Sequence, residues 1–244
     1  MTPSPADDRS EQGDPYERYV GRWSRRVAPL FIEWLDVPGG RRWLDVGCGT
    51  GALCAAIRTH AAPASVTGVE PSEGFLATAR RSLPEDVTLC PGDAAAIPLP
   101  DASVDVVVSG LVLNFVPDVD AALAEAARVG AKGATFGAYV WDYAGRMDLI
   151  RYFWDTAVSR DAAAAALDEG ARFPLCRPDA LVATMTRAGF RDVRTTIGGW
   201  TLPASPVGRA ISATGGVLAE TWERVSGRSF PGVSKTTTGV KSRP

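Results

Sequence analysis

The feature that most constrains the fold of this chain is a regular alternation of short apolar segments with longer helical patterns. Strands are predicted at residues 42–46, 66–70, 87–90, 104–109 and 134–141, and helices at about 52–58, 73–82, 118–129, 148–160 and 178–188. Parallel strands need a long crossover between them, and a helix usually supplies it. The alternation therefore predicts an α/β fold, a doubly wound and mostly parallel sheet with helices on both faces.

A glycine-rich turn joins the first predicted strand to the first helix. The segment LDVGCGTG occupies residues 44–51 and has glycines at positions 47, 49 and 51. Glycine lets a ligand approach the main chain, and the N-terminus of the following helix favours an anionic group. In a Rossmann-like sheet, this first βα turn is where nucleotides bind. Because Gly47, Gly49 and Ala52 also satisfy the dinucleotide pattern G-x-G-x-x-G/A, the loop alone leaves dinucleotide binding open.

Two acidic residues follow successive strands of the predicted sheet. Glu70 ends the second strand, where a carboxylate accepts hydrogen bonds from a ribose diol of either ligand type. Asp93 follows the third strand in the sequence GDA, where it is placed to contact an adenine amino group. The pyrophosphate interpretation makes no use of this second acid. Each acid taken singly is as consistent with a solvated loop residue, but the pair indicates an adenosine-containing ligand at the carboxyl edge of the sheet.

Four segments resemble, in order, the successive motifs of a known enzyme family: LDVGCGTG, VEPSEGFLATAR, GDAAAIPLPDASVDVVVSG and LVLNFVPD. They are similar to those of class I S-adenosylmethionine-dependent methyltransferases, and most similar to the ubiquinone/menaquinone-biosynthesis-like branch. The resemblance extends from about residue 16 to residue 197. It implies a Rossmann-like fold, S-adenosylmethionine as the cofactor and methyl transfer as the activity.

The resemblance also implies roles for individual positions. In that family the glycine loop holds the methionine part of the cofactor and the acid ending strand two binds the ribose hydroxyls. The residues beside that acid line the adenine, the GDA acid meets the adenine, and the segment after strand four lies near the transferred methyl group. Matched in that order, the positions are Asp45, Gly47, Gly49 and Gly51; Glu70, Pro71 and Ser72; Asp93 and Ala94; and Ser109, Gly110 and Leu111.

Further candidates lie outside these motifs. An N-terminal helix that closes over the cofactor is implied by the resemblance, and it contains Tyr16 and Arg22; Arg22 would pair with the methionine carboxylate or be a solvated helix charge. Asp142 and Tyr143 end the fifth strand, where they would contact the acceptor or form an ordinary strand-end cluster. The only histidine, His60, ends the first helix and is assigned no catalytic role. The lack of an evident base predicts an acceptor that is already nucleophilic.

Composition excludes several classes of protein. A formal net charge of −2 argues against a general nucleic-acid binder. No apolar stretch reaches the ~18 residues of a membrane span, and the polar N-terminal sequence is unlike a signal peptide. Four cysteines with no CxxC pair and a single histidine predict reduced thiols, no metal site and a cytoplasmic location.

The charge is unevenly distributed, because residues 201–244 hold six Lys or Arg and two Asp or Glu. We predict a disordered N-terminus over residues 1–14, a methyltransferase domain over 15–199, and an irregular basic tail over 200–244 that is atypical for the family.

The family usually ends in an antiparallel strand pair, and residues 190–197 supply one member. No second strand is evident after residue 200, where a short helix near 217–225 is the only suggestion, so the sheet edge is expected to be incomplete or differently covered.

The sequence thus predicts a methyltransferase that acts on a small-molecule acceptor by in-line displacement, with no nucleic-acid partner. Two alternatives stay open. One is an NAD(P)-binding oxidoreductase of similar fold, and the other is a non-catalytic S-adenosylmethionine-binding protein with an altered C-terminus.

Overall fold

The fold is built around one central sheet. The computed structural model describes residues 22–145, 147–198 and 216–219. The seven strands formed by these residues lie in the order β3-β2-β1-β4-β5-β7-β6. They are β1 (Arg42–Val46), β2 (Ser65–Glu70), β3 (Val87–Pro91), β4 (Val104–Gly110), β5 (Gly130–Trp141), β6 (Thr195–Gly198) and β7 (Gly216–Ala219). The first five are mutually parallel, and β7 runs antiparallel to β5 and β6. The predicted α/β class is confirmed.

Helices cover both faces of this sheet. They are α1 (Arg22–Leu35), α2 (Ala52–His60), α3 (Glu73–Ser82), α4 (Val119–Val129), α5 (Asp148–Arg160), the single-turn α6 (Glu169–Arg172) and α7 (Pro178–Arg187). Side chains of α1, α2 and α3 join the hydrophobic cluster on one face, and those of α4 and α7 join the cluster on the other. No helix within the described residues is both long and apolar enough to span a bilayer.

Burial on both faces explains the continuous apolar character of the central strands. In β1, Trp43 belongs to the cluster under α1 and α2, while Leu44 belongs to the cluster under α4 and α7. Strand β1 pairs with β2 on one side and with β4 on the other. The chain order of the strands therefore reverses between β1 and β4, which opens a crevice at the carboxyl edge of the sheet.

Helix α1 continues through Pro29 without a break. A proline inside a helix costs about 3 kcal/mol because it removes one backbone hydrogen bond. Burial of the apolar face compensates for that cost, since Ala28, Phe31, Ile32 and Leu35 are all 5% exposed or less.

The expectation of an incomplete sheet edge is wrong at β7. Residues 216–219 form the missing antiparallel strand and lie between β5 and β6, with Val217 opposite Val140 and Ile197. Residues 217–219 are therefore not helical, because the free edge of β5 supplies hydrogen-bonding partners that local sequence cannot reveal. Strand β6 is also shorter than the predicted 190–197, beginning only at Thr195. The predicted boundaries at residues 14/15 and 199/200 lie outside the described residues.

The segment that follows β5 contains α5, a short 3-10 helix (Ala162–Leu167) and α6. Two polar pairs tie α5 to α6. The guanidinium of Arg151 donates to both carboxylate oxygens of Asp168, and the indole nitrogen of Trp154 donates to Glu169. Because Asp168 also accepts from the backbone N–H of Gly170 at 2.8 Å, it caps α6 as well.

Candidate functional site

The glycine loop at the end of β1 is anchored to the neighbouring strand. The backbone N–H groups of Gly47 and Cys48 both donate to the carbonyl of Val69, at 2.8 and 3.0 Å. Gly47 has a φ of 74°, and a Cβ there would lie 2.5 Å from a methyl carbon of Val112. A Cβ on Gly49 would meet nothing within 4 Å. The loop is thus packed against the protein at Gly47 and open at Gly49, where a ligand can approach the main chain.

Glu70 joins the end of β2 to this loop. Its side-chain oxygens accept from the backbone N–H groups of Gly49 and Ser72, each at 3.0 Å. Burial raises the pKa of Glu70, and these two N–H donors oppose that increase. Each carboxylate oxygen has a further lone pair, so the group can still accept hydrogen bonds from a diol.

Asp45 places a second carboxyl group under the loop. Its side chain is 1% exposed, and its Oδ2 accepts from the thiol of Cys54 at 3.2 Å. Its Oδ1 has no hydrogen-bond partner among the described residues. Burial raises the pKa of Asp45 to about 7, the Cys54 thiol lowers it, and the nearby charge of Glu70 raises it further. A buried acceptor without a donor indicates a place for a cationic or hydrogen-bond-donating ligand group.

Asp93 lies in an exposed turn just beyond β3. Its Oδ1 accepts from the backbone N–H of Ala95 at 2.8 Å, and its backbone pairs with Ala96. The N–H of the preceding Gly92 donates to the carbonyl of Glu70 at 3.3 Å. Asp93 therefore follows Glu70 along the carboxyl edge, as predicted, and Ala94 forms part of the same turn.

The end of β4 is shaped by a residue of β5. The hydroxyl of Ser109 donates to the carbonyl of Val46 at 3.0 Å, so this side chain joins β4 to β1. Gly110 pairs in register with Tyr139, and a Cβ on Gly110 would lie 2.6 Å from the Tyr139 hydroxyl oxygen. Leu111 then has a φ of 64° and donates its N–H to the Tyr139 carbonyl at 2.8 Å. Only a residue without a side chain leaves room for the Tyr139 ring here.

The two candidates after β5 have different surroundings. Asp142 is 4% exposed, and its Oδ1 accepts from the N–H of Gly145 at 3.0 Å in a tight turn. Tyr143 packs on Phe173, with ring centroids 5.4 Å apart, and Phe115 meets the same ring at 5.3 Å. These three aromatic residues bring together the segments after β4, after β5 and after α6. Asp142 thus has a structural role in a turn, whether or not it contacts a ligand.

The other predicted positions are less informative. Tyr16 lies outside the described residues, and Arg22 is described only as the first residue of α1. Pro71 is exposed, Ser72 caps α3 by accepting from the N–H of Phe75, and His60 ends α2 at the surface. Within the described ranges, no three His, Cys, Asp or Glu side chains come together as metal ligands.

Four residues that shape the site are not predicted from the sequence. They are Val112 against Gly47, Cys54 on Asp45, Tyr139 over Gly110 and Leu83, whose side chain would meet a Cβ on Gly51 at 2.6 Å. Val112 lies within the segment LVLNFVPD but has no distinguishing signal of its own, and Cys54, Leu83 and Tyr139 lie outside the motif segments. The register of β4 on β5 is what reveals Tyr139, since residues paired across parallel strands share a face of the sheet.

Comparison with known proteins decides the family of the central region. Residues 44–137 match a family model described as a methyltransferase domain. This part of the chain is a methyltransferase domain. It includes the loop, Glu70, Asp93 and Gly110, and it ends two residues before Tyr139.

Two curated relatives share this domain. An uncharacterized methyltransferase of Mycobacterium tuberculosis is 39% identical over 127 residues, which are 52% of this chain and 49% of that protein. A demethylmenaquinone methyltransferase of Thermus thermophilus is 34% identical over 115 residues, 46% of this chain and 50% of that one. The matched region thus spans about half the length of these relatives.

A solved structure resembles the methyltransferase domain and its surroundings in fold. An S-adenosylmethionine-dependent methyltransferase of Thermotoga maritima has a TM-score of 0.55 at 23% identity, over 83% of this chain and 95% of that one. The Rossmann-like fold is confirmed.

The residues of the methyltransferase domain fit S-adenosylmethionine. That molecule has a cationic sulfonium and an ammonium group, which suit the two buried carboxyl groups of Asp45 and Glu70. The unpartnered Oδ1 of Asp45 can accept from an ammonium donor, the free lone pairs of Glu70 can accept from ribose hydroxyls, and Gly49 opens onto free space.

Proposed function

We propose that this protein transfers a methyl group from S-adenosylmethionine to a small-molecule acceptor. The observation that supports this most is the pair of buried carboxyl groups, Asp45 and Glu70, beside the glycine loop. Their mutual repulsion is one cause of the raised pKa of Asp45. A ligand with positive charge relieves that repulsion, whereas a pyrophosphate increases it.

The same loop argues against the oxidoreductase alternative. A dinucleotide-binding loop uses its backbone N–H groups for the pyrophosphate. Here the N–H groups of Gly47 and Cys48 donate to the Val69 carbonyl and that of Gly49 donates to Glu70. These donors are therefore already used within the protein.

In the proposed reaction the protein binds and aligns its ligands. When bound, S-adenosylmethionine supplies a methyl group on a sulfonium, and the leaving group is a neutral thioether. Asp45 would hold the methionine part of the cofactor, Glu70 would accept from its ribose hydroxyls, and Asp93 would accept from the adenine amino group. Alignment of the acceptor in line with the S–CH₃ bond can contribute roughly 7–11 kcal/mol to lowering the barrier.

We place the acceptor at the carboxyl ends of β4 and β5. The Tyr139 hydroxyl lies against Gly110 at the end of β4, and the Phe115–Phe173–Tyr143 cluster joins the segments that follow β4, β5 and α6. Asp142 is committed to a hydrogen bond with Gly145. An acceptor that arrives as a nucleophile (a phenolate, enolate, amine or thiolate) needs no base from the protein, and we propose that class.

Calorimetric titration with S-adenosylhomocysteine and with NAD(H) tests the cofactor. Binding of the first alone is expected, and binding of NAD(H) without a response to S-adenosylhomocysteine would overturn the proposal. A labelled-methyl assay over a metabolite library, read by mass spectrometry, then tests catalysis. Cofactor binding with no labelled product would favour the non-catalytic alternative.

Two variants test the proposal about the acceptor. With the acceptor so identified, Asp142→Asn and Tyr143→Phe are expected to retain most of the transfer rate and the wild-type affinity for S-adenosylhomocysteine. A collapse of the rate in either variant at unchanged cofactor affinity would mean that the enzyme supplies a base.

A further inference from the structure

A surface arginine on α4 holds the loop that follows Asp93. Arg128 donates from Nη2 to the carbonyl of Ile97 and from Nη1 to that of Leu99, both at 2.9 Å. Nη1 also donates to Asp101 at 2.7 Å. One guanidinium thus fixes three points along five residues of this loop.

Glu125 completes the attachment. Arg128 donates to its two carboxylate oxygens at 2.6 and 2.7 Å, and one of those oxygens accepts from the backbone N–H of Ile97 at 2.9 Å. Both backbone polar groups of Ile97 are therefore held, the N–H by Glu125 and the carbonyl by Arg128. The Arg128 guanidinium lowers the pKa of Glu125, so this anchor is charged at neutral pH.

Asp93 lies only four residues before Ile97, and the intervening turn is tightly folded. The carbonyl of Asp93 accepts from Ala96 at 3.1 Å, and its Oδ1 accepts from Ala95. A Cβ on Gly92 would lie 2.7 Å from the Pro98 ring, so the two ends of the turn are in contact. Displacement of Ile97 would consequently move Asp93, whose other attachment is the bond from Gly92 to the Glu70 carbonyl.

From these contacts we infer that Arg128, with Glu125, is a positioning residue that sets the place of the Asp93 carboxylate and thereby the preference of the site for adenine. This inference rests on the proposed function, since it takes S-adenosylmethionine as the ligand. Arg128 itself lies on α4 and touches neither the glycine loop nor Glu70 in any hydrogen bond of the described residues. A rigid guanidinium suits this role because it holds several acceptors in one plane.

The test compares two ligands that differ at the purine 6-position, which Asp93 would recognise, and in the protonation of the neighbouring N1. S-adenosylhomocysteine has the exocyclic amino group, and S-inosylhomocysteine has a carbonyl oxygen there. Titration calorimetry on the full chain measures the dissociation constant of each. S-adenosylhomocysteine can donate a hydrogen bond from its amino group to the charged Asp93 carboxylate, which the carbonyl oxygen of S-inosylhomocysteine cannot do. We therefore expect the wild-type chain to bind S-adenosylhomocysteine more tightly by about tenfold or more.

Arg128→Gln is expected to reduce that preference to within about threefold, mainly by weakening the binding of S-adenosylhomocysteine. Asp93→Asn should have the same effect. Arg42→Gln is the matched control. Arg42 makes a similar bidentate pair with Asp105, with bonds of 3.0 and 2.7 Å, at the opposite end of the strands. It should leave the preference unchanged, so a general loss of stability is separated from a loss of positioning.

Several results would overturn the inference. They are an unchanged preference in Arg128→Gln, an equal loss of affinity for both ligands, or an unchanged preference in Asp93→Asn. If Arg128→Gln fails to fold, Glu125→Gln tests the same attachment and should reduce the preference by a smaller factor. No S-adenosylhomocysteine binding by the wild-type chain would overturn the proposed function together with this inference, whereas wild-type binding with an unaltered preference in the variants overturns the inference alone.

Discussion

The carboxyl edge of the sheet has two parts that are built differently. The cofactor side, at the ends of β1, β2 and β3, is organised by backbone N–H groups that donate to Val69 and to the Glu70 carboxylate. The proposed acceptor side, at the ends of β4 and β5, is organised by side chains from distant segments, such as Phe115, Phe173 and Tyr143. Main-chain geometry thus shapes the proposed cofactor side, whereas side-chain packing between distant segments shapes the proposed acceptor side.

The largest expected effect is at the loop of the cofactor side. Gly47→Ala adds a Cβ that would lie 2.5 Å from Val112 on a backbone with a φ of 74°. We expect loss of S-adenosylhomocysteine affinity by more than about 100-fold and a destabilisation of about 2–4 kcal/mol, measured by calorimetry and urea denaturation. Gly40→Ala is the control, because Gly40 has a φ of 77° and nothing within 4 Å of its Cβ position. Gly40→Ala should show only the destabilisation that comes from backbone strain. Equal losses of stability and of S-adenosylhomocysteine affinity in the two variants would contradict the role assigned to Val112.

Glu70→Gln tests the hydrogen bonds that join β2 to the loop. The amide has one acceptor oxygen, so it cannot accept from both Gly49 and Ser72 as the carboxylate does. We expect affinity for S-adenosylhomocysteine to fall by about 10–100-fold, with a loss of about 1–3 kcal/mol in stability. Glu73→Gln removes an exposed pair with Arg80 and should change neither quantity measurably. Wild-type affinity in Glu70→Gln would show that backbone geometry alone forms the cofactor side.

Asp45 predicts a pH dependence of stability. Burial raises its pKa from 3.8 to about 7, so the folded state keeps a proton that the unfolded chain has released. The stabilisation is full below about pH 4 and is lost as the pH rises through about 7. Between pH 5 and 8 this group should lower the free energy of unfolding by about 2–3 kcal/mol.

Asp45→Asn should remove that part of the slope in urea denaturation at the two pH values. Asp105→Asn is the control, because Arg42 lowers the pKa of Asp105 to about 2 and the group stays ionised throughout this range. An unchanged slope in Asp45→Asn would mean that Asp45 does not titrate in this range, and would remove one support for a cationic ligand.

The smallest effect should come from the acceptor side. Phe173→Leu removes the ring contacts with Phe115 and Tyr143, and Phe173 is 4% exposed. We expect a loss of about 1–2 kcal/mol in stability and an affinity for S-adenosylhomocysteine within about twofold of wild type. Phe136→Leu, which loses a ring contact with Phe190 elsewhere on β5, is the control for stability. A marked loss of cofactor affinity in Phe173→Leu alone would show that the two sides are coupled.

These two sides are also unequally predictable from sequence. The glycine loop, Glu70 and Asp93 lie within a few residues of strand ends, so the alternation of strands and helices is enough to place all three at one edge of the sheet. The ends of α3 and α5 are likewise predicted correctly, since Ser72 caps the start of α3 and local periodicity indicates the extent of α5. Long-range contacts are not predictable in this way. Tyr139 lies 29 positions after Gly110, and nothing in either local sequence indicates that the ring fills the space left by the glycine.

Strand β7 is the clearest case of a structure that tertiary contacts decide. Residues 216–219 have little local strand character, yet they pair with β5 and β6 on both sides. The unsatisfied backbone groups along the edge of β5 favour such pairing, whatever the weak propensity of the added segment. By itself, the sequence determined the fold class, the methyltransferase motifs and the positions of Glu70 and Asp93, because these follow from local spacing and from the alternation of strands and helices. Only the tertiary structure decided how the sheet ends, which side chains face Gly47 and Gly110, and what holds the Asp93 turn, because those contacts join segments that the sequence keeps far apart.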